Sequence, residues 1–169
     1  MGARFDTGGA GKGLAADLCA GRLGRYATFA VDVGGDLRIG GAELIERTVA
    51  IEHPLLDEPA ISFRLAAGAV ATSGIARRIW RHGNGFSHHL LDPSTGTPAW
   101  TGVIQATAIA GAALEAESLA KLALLSGPEQ GRRILDSIGG VLVLDSGAVV
   151  TAGFLADTPA DQPKVNALA

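Results

Sequence analysis

Glycine in this chain comes in clusters: Gly8-Gly9, Gly11 and Gly13, then Gly34-Gly35, then Gly40-Gly41. A residue without a Cβ lets the backbone turn sharply or come close to a ligand, so these clusters mark the bends and close approaches of the fold. The first runs straight into Leu14–Leu23, a predicted helix with Leu14, Leu18, Cys19 and Leu23 on one apolar face and Asp17 and Arg22 off it. Cys19, the only cysteine, is therefore expected to be a buried thiol. A glycine-rich loop opening a helix is a candidate anion cradle; the competing reading is a loop packed closely against its neighbours. Gly11-Lys12 looks like the end of a P-loop, but that motif needs a glycine where Asp6 stands and a hydroxyl where Gly13 stands. A Walker nucleotide site is excluded.

Strand signals dominate the middle of the chain. Ala27–Val33 runs into Gly34-Gly35-Asp36, and Leu37–Ile39 continues to the next glycine pair. Arg47–Glu52 and Ile61–Leu65 alternate apolar with polar residues. Ala69–Gly74 ends in Thr72-Ser73-Gly74. Ile79–Arg81 and Phe86–Leu91 flank Asn84-Gly85, a strong hairpin signal. Val103–Ala110 reads as a central strand. Ala112–Leu125, rich in Ala, Leu and Glu, is a helix stopped by Gly127-Pro128. A further helix runs from Pro128 to about Ile138, and Val141–Leu144 with Ala148–Thr151 makes a last hairpin. A helix, many antiparallel-type strands, two helices and a hairpin predict an α+β fold, a largely antiparallel sheet packed with helices.

Charge and composition remove several functional classes. Fourteen Lys and Arg stand against 17 Asp and Glu, a formal charge of −3, with 5% aromatic residues. A nucleic-acid surface needs clustered cations and stacking platforms, and neither is present. One cysteine rules out an internal disulfide framework and argues against a cysteine-based metal site. No apolar run reaches the roughly 18 residues that span a bilayer. Without a signal peptide or lipobox cysteine the chain reads as cytoplasmic, although a missing N-terminus would hide an export signal.

Chemistry concentrates in His88-His89-Leu90-Leu91-Asp92-Pro93-Ser94-Thr95-Gly96. Proline at the second turn position and Gly96 at its end predict a tight turn presenting hydroxyls and backbone N–H groups. A histidine beside such a turn is a candidate general base. On its own the stretch also fits a surface turn after an ordinary strand.

The motifs occur in a specific order: Asp6-x-Gly8-Gly9-x-x-Lys12-Gly13, Gly34-Gly35-Asp36, Ala71-Thr72-Ser73-Gly74, His89-x-x-Asp92-Pro93-x-Thr95-Gly96, then a helix carrying an acid. Over residues 4–152 this resembles the ApbE family, the FAD:protein FMN transferases once assigned to thiamine biosynthesis. The resemblance implies an ApbE-like fold. It also implies magnesium-dependent cleavage of FAD, with transfer of FMN to a threonine hydroxyl of a recipient protein and release of AMP. It makes His89 the base for that hydroxyl. Gly8, Gly9, Lys12, Gly35, Asp36, Thr72, Ser73, Gly74, Asp92, Thr95 and Gly96 would contact FAD. The Gly11 carbonyl and Glu117 would hold magnesium. His88, on the opposite strand face, reads as structural or exposed.

Three departures from the family pattern stand out. Well-studied members carry Asp and Thr four residues apart on the late helix as metal ligands. Here Glu117 and Lys121 stand there, and an ammonium cannot ligate a metal. Lys121 either supplies charge to the diphosphate or forms an ordinary i,i+4 ion pair. Ile75 also replaces a residue that is often polar in relatives. Members have a further segment ahead of the Asp-x-Gly-Gly motif, whereas Met1 lies almost at it. The chain thus reads as the C-terminal two-thirds of the family domain over residues 1–155, N-terminally truncated, with a flexible tail at 156–169. Unpaired edges and uncovered apolar surface then predict poor solubility or a homo-oligomer. A magnesium-dependent FAD pyrophosphatase and a non-catalytic flavin-binding paralogue are the alternative functions.

Overall fold

The computed structural model describes residues 7–156 and the backbone of 164–166. In chain order the elements are α1 (Gly11–Leu23), β1 (Phe29–Val33), β2 (Asp36–Gly40), β3 (Arg47–Glu52), β4 (Pro59–Leu65), β5 (Gly68–Gly74), β6 (Ile79–His82) and β7 (Gly85–His88). They continue with β8 (Val103–Ala110), α2 (Ala113–Leu125), α3 (Gly127–Leu135), β9 (Gly140–Leu144), β10 (Val149–Ala152), a 3₁₀ turn (Gly153–Leu155) and β11 (Lys164–Asn166). The tail predicted from residue 156 lies, apart from Ala156 and β11, outside the described residues.

Six strands form an antiparallel sheet in the order β1-β2-β5-β8-β9-β10. A second sheet, β11-β4-β3, pairs β3 with β4 antiparallel and β11 with β4 in parallel, and β6-β7 is a separate hairpin. The predicted α+β architecture is therefore observed. Strand periodicity sets what each sheet face does. Along β8, Ala106 and Ala108 cluster with Ala120 and Ala123 of α2, while Ile109 packs with Val49, Phe63 and Leu65 of the small sheet. The six-stranded sheet is thus sandwiched between the helices and the three-stranded sheet. No helix among the described residues is long and apolar enough to cross a membrane.

The helix face of the sheet is a seam of small side chains. Ala69, Ala71 and Ala110 from the strands meet Ala16 of α1 and Ala113 and Ala116 of α2. Alanines 113, 116, 120 and 123, all fully buried, recur at the i, i+3, i+7, i+10 spacing of one helix stripe. Methyl-sized contacts let α2 lie close on the sheet. α1 comes closer still to α2: a Cβ on Gly13 would sit 2.5 Å from the Ala113 carbonyl oxygen.

That approach reverses the expected orientation of α1. Its buried residues are Gly13, Ala16 and Ala20, whereas Leu14 and Leu18 are exposed, and the Cys19 thiol is exposed rather than buried. Helical periodicity favours the larger apolar side chains as the inner face, but the contact distance admits only glycine and alanine. The return strand of the hairpin also ends earlier than predicted, at His88, with Leu91 making an isolated bridge to Pro98.

Two glycines of α1 therefore respond oppositely to the same substitution. Gly13→Ala forces backbone apart and should lower unfolding free energy by about 1–3 kcal/mol. Gly21→Ala, an exposed helical site with no atom within 4 Å of the added Cβ, should raise it by about 0.5–1 kcal/mol through helix propensity. Urea unfolding followed by circular dichroism checks both; equal effects would refute the close crossing.

Candidate functional site

The site begins with two orphaned helix ends. The first N–H groups of a helix have no intrahelical partner, and here each helix supplies the other's. Asp17 of α1 accepts from the Ala113 and Leu114 N–H groups of α2 at 2.8 and 2.9 Å. Glu117 of α2 accepts from the Gly13 N–H of α1 at 2.9 Å. Arg38 of β2 lies 3.3 Å from Asp17 and ties the pair to the sheet.

This exchange fixes a buried layer of charge. Glu117 is 1% exposed and ion-paired at 2.9 Å with Lys121, which is 21% exposed. Asp36, 1% exposed, is paired at 2.9 Å with Lys12, which is 40% exposed. Neither Asp36 oxygen accepts a directed hydrogen bond among the described residues. Burial pushes the Asp36 carboxyl above its usual range, an effect the neighbouring Lys12 opposes. Asp36 follows the Gly34-Gly35 turn, whose φ values of 60° and 93° require glycine; its Gly35 N–H donates to Asp32 at 2.8 Å.

Above this layer lies a cavity of about 650 Å³. Gly8, Lys12, Gly34, Gly35 and Lys121 line one side. The end of β5, with Thr72, Ser73 and Gly74, lines another, and residues 49–54 of the β3 end face it. Thr72 is held by a 2.9 Å hydrogen bond to Thr107. Arg77, Arg78 and His89 complete the wall. The His89 imidazole titrates below its ordinary value because it is desolvated and because Arg78 is near.

Seven of the sequence-derived site residues thus come together: Gly8, Lys12, Gly35, Thr72, Ser73, Gly74 and His89. Asp36 and Glu117 lie beneath the wall, each holding a lysine that lines it. Gly9 is exposed and Gly11 is the first residue of α1; neither lines the cavity. Asp92, Thr95 and Gly96 are not on the wall either. Their turn closes on itself: the Ser94 backbone N–H and hydroxyl donate to Asp92 at 2.7 and 2.6 Å, which holds the Asp92 carboxyl below its usual range. His88 is structural, fully buried edge-on against Trp100 at 4.6 Å.

Sequence reading passed over Arg77-Arg78, the basic pair directly after the Thr72-Ser73-Gly74 strand end. Its position in the sequence was the available signal. Glu52, ion-paired with Arg77, and Gln105, which donates to the Glu52 carbonyl at 2.7 Å, also line the cavity. Nothing in their spacing marked them.

The model of the ApbE family matches residues 1–144. The chain belongs to the ApbE family. It is 30% identical over 154 residues to the FAD:protein FMN transferase of Treponema pallidum, covering 83% of this chain and 42% of that protein. To the FAD:protein FMN transferase of Escherichia coli K12 it is 29% identical over 136 residues, 77% of this chain and 39% of that one. Among solved structures, the ApbE protein of Thermotoga maritima superposes with a TM-score of 0.76 at 30% identity, covering 92% of this chain and 54% of that one. The apo form of the flavinyl transferase ApbE of Pseudomonas stutzeri gives 0.67 at 25% identity, covering 88% and 49%. This ApbE chain spans about two fifths of the length of the curated relatives it matches.

The magnesium implied for ApbE proteins does not fit the donors found among the described residues. Magnesium takes six oxygen ligands in near-ideal octahedral geometry. Both Glu117 oxygens are engaged, one by Lys121 and one by the Gly13 N–H. Gly11 is helical, so its carbonyl points down the α1 ladder rather than out of the N-terminus. No group of three His, Cys, Asp or Glu suited to a metal occurs among the described residues.

The His89 environment has a direct test. Its imidazole should titrate with a midpoint below 6.5, the ordinary value, when followed by proton NMR of the ring. Arg78→Ala should move that midpoint upward; a midpoint above 6.5 in the unsubstituted chain would refute the placement.

Proposed function

We propose that this chain carries the flavin-nucleotide site of an FAD:protein FMN transferase. The observation that supports this best is the one cavity in which seven residues from four separated sequence motifs, Lys12 among them, converge beside a second ammonium group, Lys121. A diphosphate bridging two nucleosides needs cations, backbone N–H groups and hydroxyls on one wall and a proton acceptor near the bond to be broken. Lys12 and Lys121 supply the cations and Thr72 and Ser73 the hydroxyls, and Gly34 and Gly35 let the backbone of that wall come close to the ligand. The curated relatives bearing the name FAD:protein FMN transferase support the same substrate and acceptor class.

In this reading the recipient's threonine oxygen attacks the FMN-side phosphorus. The bond from that phosphorus to the bridging oxygen breaks, and AMP leaves with that oxygen and the bonding electrons. The threonine proton passes to His89. An imidazole that titrates below its ordinary value is neutral at pH 7 and free to accept it. Arg77 and Arg78 face the same space and steady the leaving phosphate.

The test uses the purified chain with FAD and a threonine-bearing recipient fragment, following AMP by chromatography and flavin on the recipient by mass spectrometry. The transferase reading requires both products, and His89→Ala should slow their formation about 10²–10⁴-fold. Because the base form is lost on protonation, the acid limb of the rate profile should fall below pH 6.5. AMP without labelled recipient would instead establish a pyrophosphatase. FAD bound without AMP would leave only a flavin-binding protein.

A further inference from the structure

We infer that the anion in this cavity is held by two ammonium groups, Lys12 and Lys121, in place of a divalent cation. The inference rests on the flavin-diphosphate reading above and concerns how that diphosphate is neutralised.

Three observations carry it. First, the charges are layered. Both carboxylates are 1% exposed and lie under the wall, while both lysines are exposed to it and line the cavity. The buried negative charges cancel the two lysines overall, yet the face presented to a ligand is positive.

Second, each ammonium is pinned rather than free. Lys121 sits 2.9 Å from Glu117, which the Gly13 N–H fixes from the other side. Lys12 sits 2.9 Å from Asp36 and 3.4 Å from the Gly34 carbonyl. An ammonium has three N–H donors, so Lys121 with one partner and Lys12 with two each keep at least one for a ligand. Such groups stabilise phosphate charge without reorganising.

Third, each of these carboxylates already has an ammonium nitrogen 2.9 Å from one of its oxygens. A divalent ion added next to two ammoniums would meet repulsion from both, and each Glu117 oxygen already accepts from a donor with which the ion would compete. Arg77 and Arg78 add further charge on the same cavity.

The test is isothermal titration of the full chain with inorganic pyrophosphate, in EDTA and in excess magnesium. Pyrophosphate should bind in EDTA, and magnesium should leave the affinity unchanged or weaken it by sequestering the free anion. Lys121→Met alone would strand a buried carboxylate and endanger the fold. The decisive variant is Glu117→Gln/Lys121→Met, which removes both charges and keeps an amide oxygen for the Gly13 N–H. It should bind pyrophosphate roughly tenfold or more weakly in EDTA, and Lys121→Arg should retain binding. Binding only with magnesium, or unchanged binding by a double variant that melts cooperatively, would overturn the ammonium pair. A parallel titration with FAD, read by flavin fluorescence, separates the two readings. FAD that fails to bind in either buffer overturns the flavin reading, while the pyrophosphate data still decide the ammonium pair.

Discussion

The reciprocal capping of α1 and α2 is the interaction on which this structure turns. Asp17 of the first helix satisfies the opening N–H groups of the second, and Glu117 of the second satisfies an opening N–H of the first. Each bond joins a charged acceptor to a backbone donor that would otherwise be orphaned, and such charge-assisted bonds are the stronger kind. The exchange works only because Gly13 admits the α2 backbone at contact distance. One glycine thereby sets both the helix crossing and the placement of a buried acid.

From that acid the electrostatics of the cavity follow. A fully buried carboxylate is costly unless paired and hydrogen-bonded, and Glu117 has both a lysine and a backbone donor. Asp36 is paired with Lys12, and burial, which that lysine opposes, raises its affinity for a proton. In each pair burial of the acid leaves the base as the partner that meets the cavity. Charge on the wall is thus a consequence of packing beneath it.

The sequence disclosed those parts of the molecule that depend on local chemistry. Gly34-Gly35 is a positive-φ hairpin turn, and the hairpin signalled by Asn84-Gly85 is present one residue earlier, with Gly83-Asn84 joining β6 to β7 and Gly85 already paired with His82. α2 begins and ends within a residue or so of its reading. The ordered motifs identified the family, and seven of their residues meet at one cavity. Features that depend on distance between elements were not legible. Leu14 and Leu18 look like a buried stripe until the α1–α2 spacing excludes large side chains. Asp92, Thr95 and Gly96 have the chemistry of an anion loop, yet their donors satisfy each other. Arg77 and Arg78 have no periodicity that marks them; only the chain path past β5 brings them to the cavity.

The alanine seam beneath the six-stranded sheet has one more consequence. Its side chains are already near the smallest that keep the helix propensity of α2. Removing a methyl leaves glycine in a helix or strand, and adding one pushes backbone against backbone. Neutral drift in this chain is therefore channelled to the outward faces, such as the Leu14 and Leu18 side of α1, while the interior is nearly frozen. The spatial relation of Lys12, Lys121 and the end of β5 is inherited from that frozen interior. It would persist even through a period in which the catalytic chemistry itself was under no selection.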